Sequence, residues 1–308
     1  MRCRPAFTFV LALISLVIAG CAGVRPFGQT SSDEPDSNGQ ADGDGAKSNA
    51  ATETPTFVHS VARSFPEQGW WCGDFDEWLS PERAEMGYTI VLPGVEGTSL
   101  QNINIARGLV DAGHPAAIEV RDWTTGSRTM FVYHLMALER NRKQARAIAE
   151  QIVAYQNQYP ERAVTLIGHS GGAAMAVLVL EALPPERSVN RAILLAAAIS
   201  PDHDLSTALA RTELGIVNFH SWGDVAHLVA GTSVLGTIDR QHSVSAGASG
   251  FHTPDHLTAT ERELYATRLV QIPYRLEMLK TFNMGGHLTP TNRKFVAEWV
   301  APYVAARR

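Results

Sequence analysis

The sequence predicts an α/β fold, with a mostly parallel sheet and helices on both of its faces. Three observations predict it. Short apolar runs bounded by turn residues alternate with longer segments of helical period, the pattern of strands linked by crossover helices. Residues 57–308 have the length of one large α/β domain, and no internal repeat divides them. One apolar run passes through Gly168-His169-Ser170-Gly171-Gly172 straight into a second apolar segment, which reads as strand, tight turn, helix.

The elements follow in chain order. Tyr88-Thr89-Ile90-Val91-Leu92 is apolar and is stopped by Pro93-Gly94, so it reads as a buried strand. Residues 99–112 carry Leu100, Ile103, Ala106, Leu109 and Val110 at helical spacing and end at Gly113. Ala117-Ile118-Glu119-Val120-Arg121 is a second strand. Residues 138–155 form a long amphipathic helix, with Ala145, Ile148, Ile152 and Tyr155 on one side and Arg142, Lys143, Arg146 and Glu150 facing water. The run at 163–167 leads into the Gly-rich turn, and residues 173–180 read as a buried helix. Residues 192–196 and 216–220 are two more strands. Residues 293–304 close the chain as a helix whose Phe295, Val296, Trp299, Val300 and Tyr303 can pack on a sheet.

The Gly-rich turn carries the chemistry. A serine at the tip of a sharp strand–helix turn sits in a strained backbone, and its neighbours must be nearly side-chain-free for strand and helix to pack around it. The turn also places the serine beside a helix N-terminus, where backbone N–H groups can meet a developing negative charge. Gly168-His169-Ser170-Gly171-Gly172 is a G-x-S-x-G nucleophile elbow in that context. In a parallel sheet the reactive loops gather at the carboxyl ends of the strands, so the partners of Ser170 are sought there.

From Gly87 to the C-terminus the chain resembles the serine α/β-hydrolase family; residues 1–86 do not. The resemblance rests on the elbow, on the strand–turn Leu92-Pro93-Gly94-Val95, and on an Asp and a His in the family order Ser, Asp, His. It implies an α/β-hydrolase fold with Ser170 as nucleophile. It implies Asp224, just after the strand at 216–220, as the acid, with Asp202 and Asp204 after the preceding strand as the other site some members use. Ser200-Pro201-Asp202 also reads as an ordinary helix start. His287, in Gly285-Gly286-His287-Leu288 ahead of the final helix, is the implied base; His242, His252 and His256 are its rivals. His169 reads as a packing or hydrogen-bonding residue and His220 as a strand residue. The implied oxyanion donors are the backbone N–H groups of Gly171 and Val95. The chain has Pro93-Gly94 where lipases have His-Gly, and it has no HGGG motif. Pro93-Gly94-Val95-Glu96-Gly97-Thr98 lacks the Gly-Lys-Ser/Thr ending of a phosphate loop, and Glu96 reads as a solvated loop carboxylate.

The implied activity is that of a serine hydrolase cleaving carboxylic esters through an acyl-enzyme, with no cofactor. Amide or thioester cleavage with the same triad, and a catalytically silent fold used as a surface binding module, stand as alternatives. The implied partner is a small-molecule or lipid ester; the sequence gives no oligomeric state. Residues 225–251, rich in small residues, read as a pocket cover or as a structural loop. Trp70, Trp71, Phe75 and Trp78 read as a packing cluster at the sheet edge or as a hydrophobic groove.

The N-terminus reads as an export signal over residues 1–20. Arg2 and Arg4 precede an apolar core over residues 7–18 that is short for a membrane span. Ile18-Ala19-Gly20-Cys21 resembles a bacterial lipobox, in which the cysteine is lipidated on its thiol and becomes the new N-terminus. An ordinary secretory signal or an uncleaved anchor is the other reading. Ala22 rather than Asp after the cysteine resembles cargo sent on to an outer membrane. Residues 28–56 contain no Val, Ile, Leu, Met or aromatic residue, and their acidic residues face the lone Lys47. Such a segment, within a linker over residues 21–56, cannot bury a core, and its flexible span is about 30 Å. The expected location is the cell envelope, lipid-anchored at Cys21.

The formal net charge is −5, which argues against nucleic-acid binding. Of the three cysteines, Cys3 leaves with the signal, Cys21 carries lipid, and Cys72 reads as a partly buried thiol. No C-x-x-C pair and no H-E-x-x-H helix is present, so no metal site is expected.

Overall fold

The computed structural model describes residues 75–224, 237–239 and 244–305. All fall within one compact unit, Pro55–Arg308. The signal, Cys21, the linker, Cys72, Trp70, Trp71, His242 and most of residues 225–251 lie outside the described residues.

Six strands form one sheet: β1 (Tyr88–Leu92), β2 (Ala117–Val120), β3 (Val164–His169), β4 (Arg191–Leu195), β5 (Ile216–His220) and β6 (Leu269–Pro273). The order is β2-β1-β3-β4-β5-β6, and every neighbouring pair is parallel. The expected α/β class is thus the observed one. Strands β1 to β4 are buried along their whole length, which is why their sequences are mostly apolar rather than strictly alternating.

Alternate residues of each strand enter two separate cores. Ile90, Leu92, Leu166 and Leu194 face α2 (Leu138–Gln158) and α3 (Gly171–Ala182). Val91, Ile167, Ile193 and Val217 face α1 (Leu100–Asp111) and the C-terminal helical run. Helix α2 buries Ala145, Ile148, Ile152 and Tyr155, the face its periodicity predicts. Helix α3 is buried from Gly171 to Leu180, so its sequence is apolar on all sides. Helix α1 departs from expectation at its first turn: Leu100 is half exposed and Ile105 is buried. The C-terminal run contains a π-helical stretch, Val296–Val300, between Arg293–Phe295 and Ala301–Ala305. Phe295, Val296 and Val300 are buried there, and Trp299 and Tyr303 pack against them. Trp78, of the expected aromatic cluster, is buried in this same core. With an apolar core on each face of a six-stranded sheet, this unit holds what an independently folding domain requires.

Candidate active site

Ser170 stands between β3 and α3 with φ 55° and ψ −119°, a left-handed backbone that a non-glycine residue adopts only under constraint. The constraint is visible. Ser170 N–H donates to Leu195 O at 2.9 Å, and Ser170 O accepts from Ala198 N–H at 3.1 Å. The turn is packed so closely that a methyl group on Gly168 would lie 2.3 Å from Gly172 O, and one on Gly172 would lie 2.1 Å from Leu92 O. Strand β1, the turn and α3 therefore fit only around glycine.

Asp224 follows β5 in the short turn Trp222–Asp224 and is buried. His287 lies in the loop between β6 and the C-terminal run. The structure brings the three side chains together. His287 Nδ1–H donates to Asp224 Oδ1 at 2.8 Å, and Ser170 Oγ donates to His287 Nε2 at 2.9 Å. The base loop is held by Asn283, whose Oδ1 accepts from Gly285 N–H and Thr289 Oγ1. His169 is buried, and its Nε2–H donates to His287 O at 3.0 Å, a hydrogen-bonding role as expected. His220 ends β5, also as expected.

The electrostatics follow from this packing. Burial works against a charged His287, but the hydrogen bond and charge of Asp224, with the charge of Glu96, outweigh it and raise its pKa above the ordinary 6.5. Burial and the charge of His287 together keep His169 below that value.

The sequence expectation for Glu96 is corrected. Its carboxylate is half-buried, folded back over Gly94, and it accepts from Asn102 Nδ2 at 2.8 Å. The side chain has a partner on α1 that lies six residues on, so it is held instead of solvated. The expected helix start at Ser200-Pro201-Asp202 is a turn; the helix begins at Ser206, where Asp204 accepts from Ser206 N–H. Asp202 and Asp204 point to the surface and pair with His252 and His256 at 2.7 and 3.2 Å. His287 is hydrogen-bonded to Asp224 and to Ser170, and among the described residues none of these four is a hydrogen-bond partner of either Ser170 or His287. A cavity of about 400 Å³ is lined by Arg142, Glu181, Asp202, His203, Asp204 and Asp239, and it contains no member of the Ser170 constellation.

Neither Gly171 N–H nor Val95 N–H donates a hydrogen bond among the described residues, and Val95 packs on Gly171, where an added methyl would meet Val95 Cγ1 at 2.6 Å. Sequence reasoning missed what holds Val95. Trp123 Nε1–H donates to Pro93 O at 2.7 Å, His134 Nδ1–H donates to Val95 O at 2.7 Å, and Asp122 accepts from Thr98 N–H. Burial lowers the His134 pKa, and its Nε2 accepts from Thr125 N–H at 3.1 Å. All these groups follow β2, in a segment without a motif. A buried Trp and His beside a turn-rich stretch were the available signal, and spacing alone does not connect them to residue 95.

Among the described residues no helix is long and apolar enough to cross a membrane, and no group of three His, Cys, Asp or Glu side chains is placed to hold a metal ion.

No protein-family model matches the chain, and no curated protein sequence matches it. Solved structures do. The esterase domain of a Rhodothermus marinus protein is 15% identical over 71% of this chain and 86% of its own, with a TM-score of 0.39. Est1E from Butyrivibrio proteoclasticus is 14% identical over 73% and 88%, with a TM-score of 0.38. A dienelactone hydrolase-like promiscuous phosphotriesterase from metagenomic libraries is 14% identical over 61% and 70%, with a TM-score of 0.35. Likenesses of this size transfer neither substrate nor mechanism. The chain's own architecture carries the assignment of fold: six parallel strands covered on both faces, a strained serine between strand and helix, and Ser170, Asp224 and His287 in that chain order give it the α/β-hydrolase fold.

Proposed function

We propose that the protein is a serine hydrolase that cleaves carboxylic esters, anchored to the cell envelope by lipid on Cys21. One observation carries the catalytic reading: the continuous relay Ser170 Oγ–His287 Nε2 and His287 Nδ1–Asp224, at 2.9 and 2.8 Å, around a serine in a strained turn. In this reading His287 takes the proton of Ser170 as Oγ attacks the acyl carbon. Asp224 stabilises the imidazolium that forms and keeps its Nδ1–H in place. The oxyanion is met by Gly171 N–H at the start of α3 and Val95 N–H in the loop after β1. The imidazolium then protonates the departing alkoxide. Water, deprotonated by the same imidazole, attacks the acyl-enzyme and releases the acid, and the proton returns to Ser170. No cofactor enters any step.

Covalent labelling with a fluorophosphonate tests the nucleophile directly. Labelling of wild type and none of Ser170→Ala is expected. Ser170→Ala and His287→Ala are each expected to lower ester turnover by several orders of magnitude without adding to one another. Asp224→Asn is expected to cost about 10⁴-fold by leaving the imidazole in the wrong tautomer. Asp202→Asn is the control and keeps most activity. Full ester turnover by Ser170→Ala would sink the reading. The anchor rests on Ile18-Ala19-Gly20-Cys21 and the polar segment behind it. Cys21→Ser is expected to leave active protein that a high-salt wash strips from membranes while wild type stays, and a variant that resists the wash would rule out lipid at Cys21 as the sole anchor.

A further inference from the structure

The loop that carries His287 is built inside out. Between β6 and the C-terminal run, the 3₁₀ turn Leu276–Thr281 and the residues after it bury Met278, Thr281 and Asn283. They turn Leu276, Leu279, Phe282 and Met284 to solvent, with fractional exposures of 74, 47, 63 and 70%. Leu288 beside the base is 40% exposed, and Trp222, two residues before Asp224, is 71% exposed. The two segments meet: a methyl on Gly223 would lie 2.7 Å from Gly285 O. Large apolar side chains thus flank both the acid and the base on one surface. A soluble protein rarely leaves so many together without a use for them.

The exposure is enforced. Phe282 has φ 61°, a left-handed backbone that is unfavourable for an aromatic residue. The buried Asn283 next to it fixes the loop through Gly285 and Thr289, so the Phe282 ring is held outward by the framework beneath it. The ring's charged neighbour is Lys294, whose Nζ lies 5.9 Å from the ring centroid and donates to Lys280 O. Arg275 and Lys280 are exposed at the rim beside Glu277, and Lys294 also pairs with Glu298 at 3.8 Å. On a chain of net charge −5, this face carries apolar tips beside three basic residues set against Glu277 and Glu298, a small local excess of positive charge.

We propose that this face docks on a lipid–water interface containing anionic headgroups, and so presents Ser170 to esters held in the lipid phase. The apolar tips enter the headgroup boundary, while Lys280, Arg275 and Lys294 meet the negative surface. The docking surface lies on the segments that carry the base and the acid, next to Ser170. The choice of lipid rests on this charge complementarity. The proposal depends on the ester-hydrolase reading only for its activity arm.

The test uses a chain that starts at residue 21 with Cys21→Ser, which lacks the signal and the acyl group and keeps the whole Pro55–Arg308 unit. Its co-sedimentation is measured with vesicles of phosphatidylcholine alone and with vesicles that also contain phosphatidylglycerol. Hydrolysis is measured on a water-soluble short-chain ester and on a long-chain ester embedded in the same vesicles. The expected result is stronger binding to the anionic vesicles. The combined variant Leu276→Ser, Phe282→Ser and Met284→Ser then loses at least tenfold in binding and in vesicular turnover, with soluble-ester turnover within twofold. Several outcomes overturn the proposal. The parent chain binds neither vesicle, or the variant binds as well as the parent. Alternatively, the folded variant loses both ester activities equally, which makes the patch a substrate groove. A parent that sediments as a dimer, with a variant that is a monomer, identifies a second copy as the occupant. Binding that is lost in the variant while neither chain cleaves any ester leaves docking intact and refutes the hydrolase reading instead.

Discussion

At Glu96 a second carboxylate adds to the effect of Asp224 on the base. Burial opposes a charged His287, and the hydrogen bond and charge of Asp224, with a smaller contribution from the charge of Glu96, raise its pKa above 6.5. A general base must be neutral to accept the serine proton, so kcat/KM falls as pH drops through the raised pKa. Glu96→Gln removes one of the charges that favour the imidazolium. The acid limb of the kcat/KM profile is therefore expected to move to lower pH, with a smaller loss of rate than Asp224→Asn gives. An unmoved limb, measured on a soluble ester, would show that Glu96 does not act on His287. The grouping of Ser170, Asp224 and His287 was legible because Ser170 and Asp224 directly follow strands and His287 stands in a Gly-rich loop ahead of the last helix, in the family's chain order. Glu96 was misread because its partner Asn102 lies on the next helix, and a loop acid looks solvated until that helix is in place. Asp202 and Asp204 competed with Asp224 on paper because all three follow strands; only packing shows two of them turned to surface histidines.

The elbow is the element where local sequence and global packing agree most closely. Strands β1 to β5 were legible from apolar runs and their turn residues, because strands buried on both faces have little freedom in composition. Strand β6 is different: Val270 and Gln271 are exposed on this edge strand, and its short mixed pattern gives no such signal. The close fit around Gly172 yields a prediction. In Gly172→Ala the new methyl would lie 2.1 and 2.3 Å from Leu92 O and Pro93 O, both backbone atoms that cannot move without shifting β1. A loss of about 3 kcal/mol or more is expected in urea unfolding. Gly113→Ala is the contrast. Its methyl would meet nothing within 4 Å, and only the left-handed φ of +74° opposes it, for a cost of about 1 kcal/mol. Equal losses in the two variants would mean that backbone conformation, and not the contact with β1, decides tolerance at Gly172.

Across the whole molecule, distant segments are joined by a small charged hub. His203, after β4, has Nε2 2.7 Å from Glu181 of α3 and Nδ1 3.3 Å from Asp239. Asp239 also accepts from Ser200 N–H. Burial disfavours the His203 charge, but the hydrogen bonds to Asp239 and Glu181 raise its pKa to about 9. Burial pushes Asp239 up, and its bonds to His203 and Thr237 bring it below 3.8. For a histidine raised in the folded state, the stabilisation is full below its ordinary 6.5 and is lost as pH rises to about 9. For the depressed carboxylate it is present above 3.8 and lost as pH falls through the lowered value. Stability from this hub is therefore expected to be greatest between those limits and to decline from pH 6.5 to 9, as urea midpoints would register. His203→Gln should flatten the alkaline part of that decline; an unchanged slope would remove the hub from the account.

Ser170 and His287 stand 117 positions apart in the chain and 2.9 Å apart in space. Nothing local brings them together. Their contact depends on the ladder from β3 through β4 and β5 to β6, and on the loop that β6 supports. The reactivity of one oxygen atom is thereby a gauge of the entire right half of the sheet. As urea rises, the fluorophosphonate labelling rate of Ser170 is expected to fall at or before the loss of tryptophan fluorescence, and never after it. Any gap between the two curves would mark partial opening at β6, the edge from which this molecule can come apart without exposing either core in full.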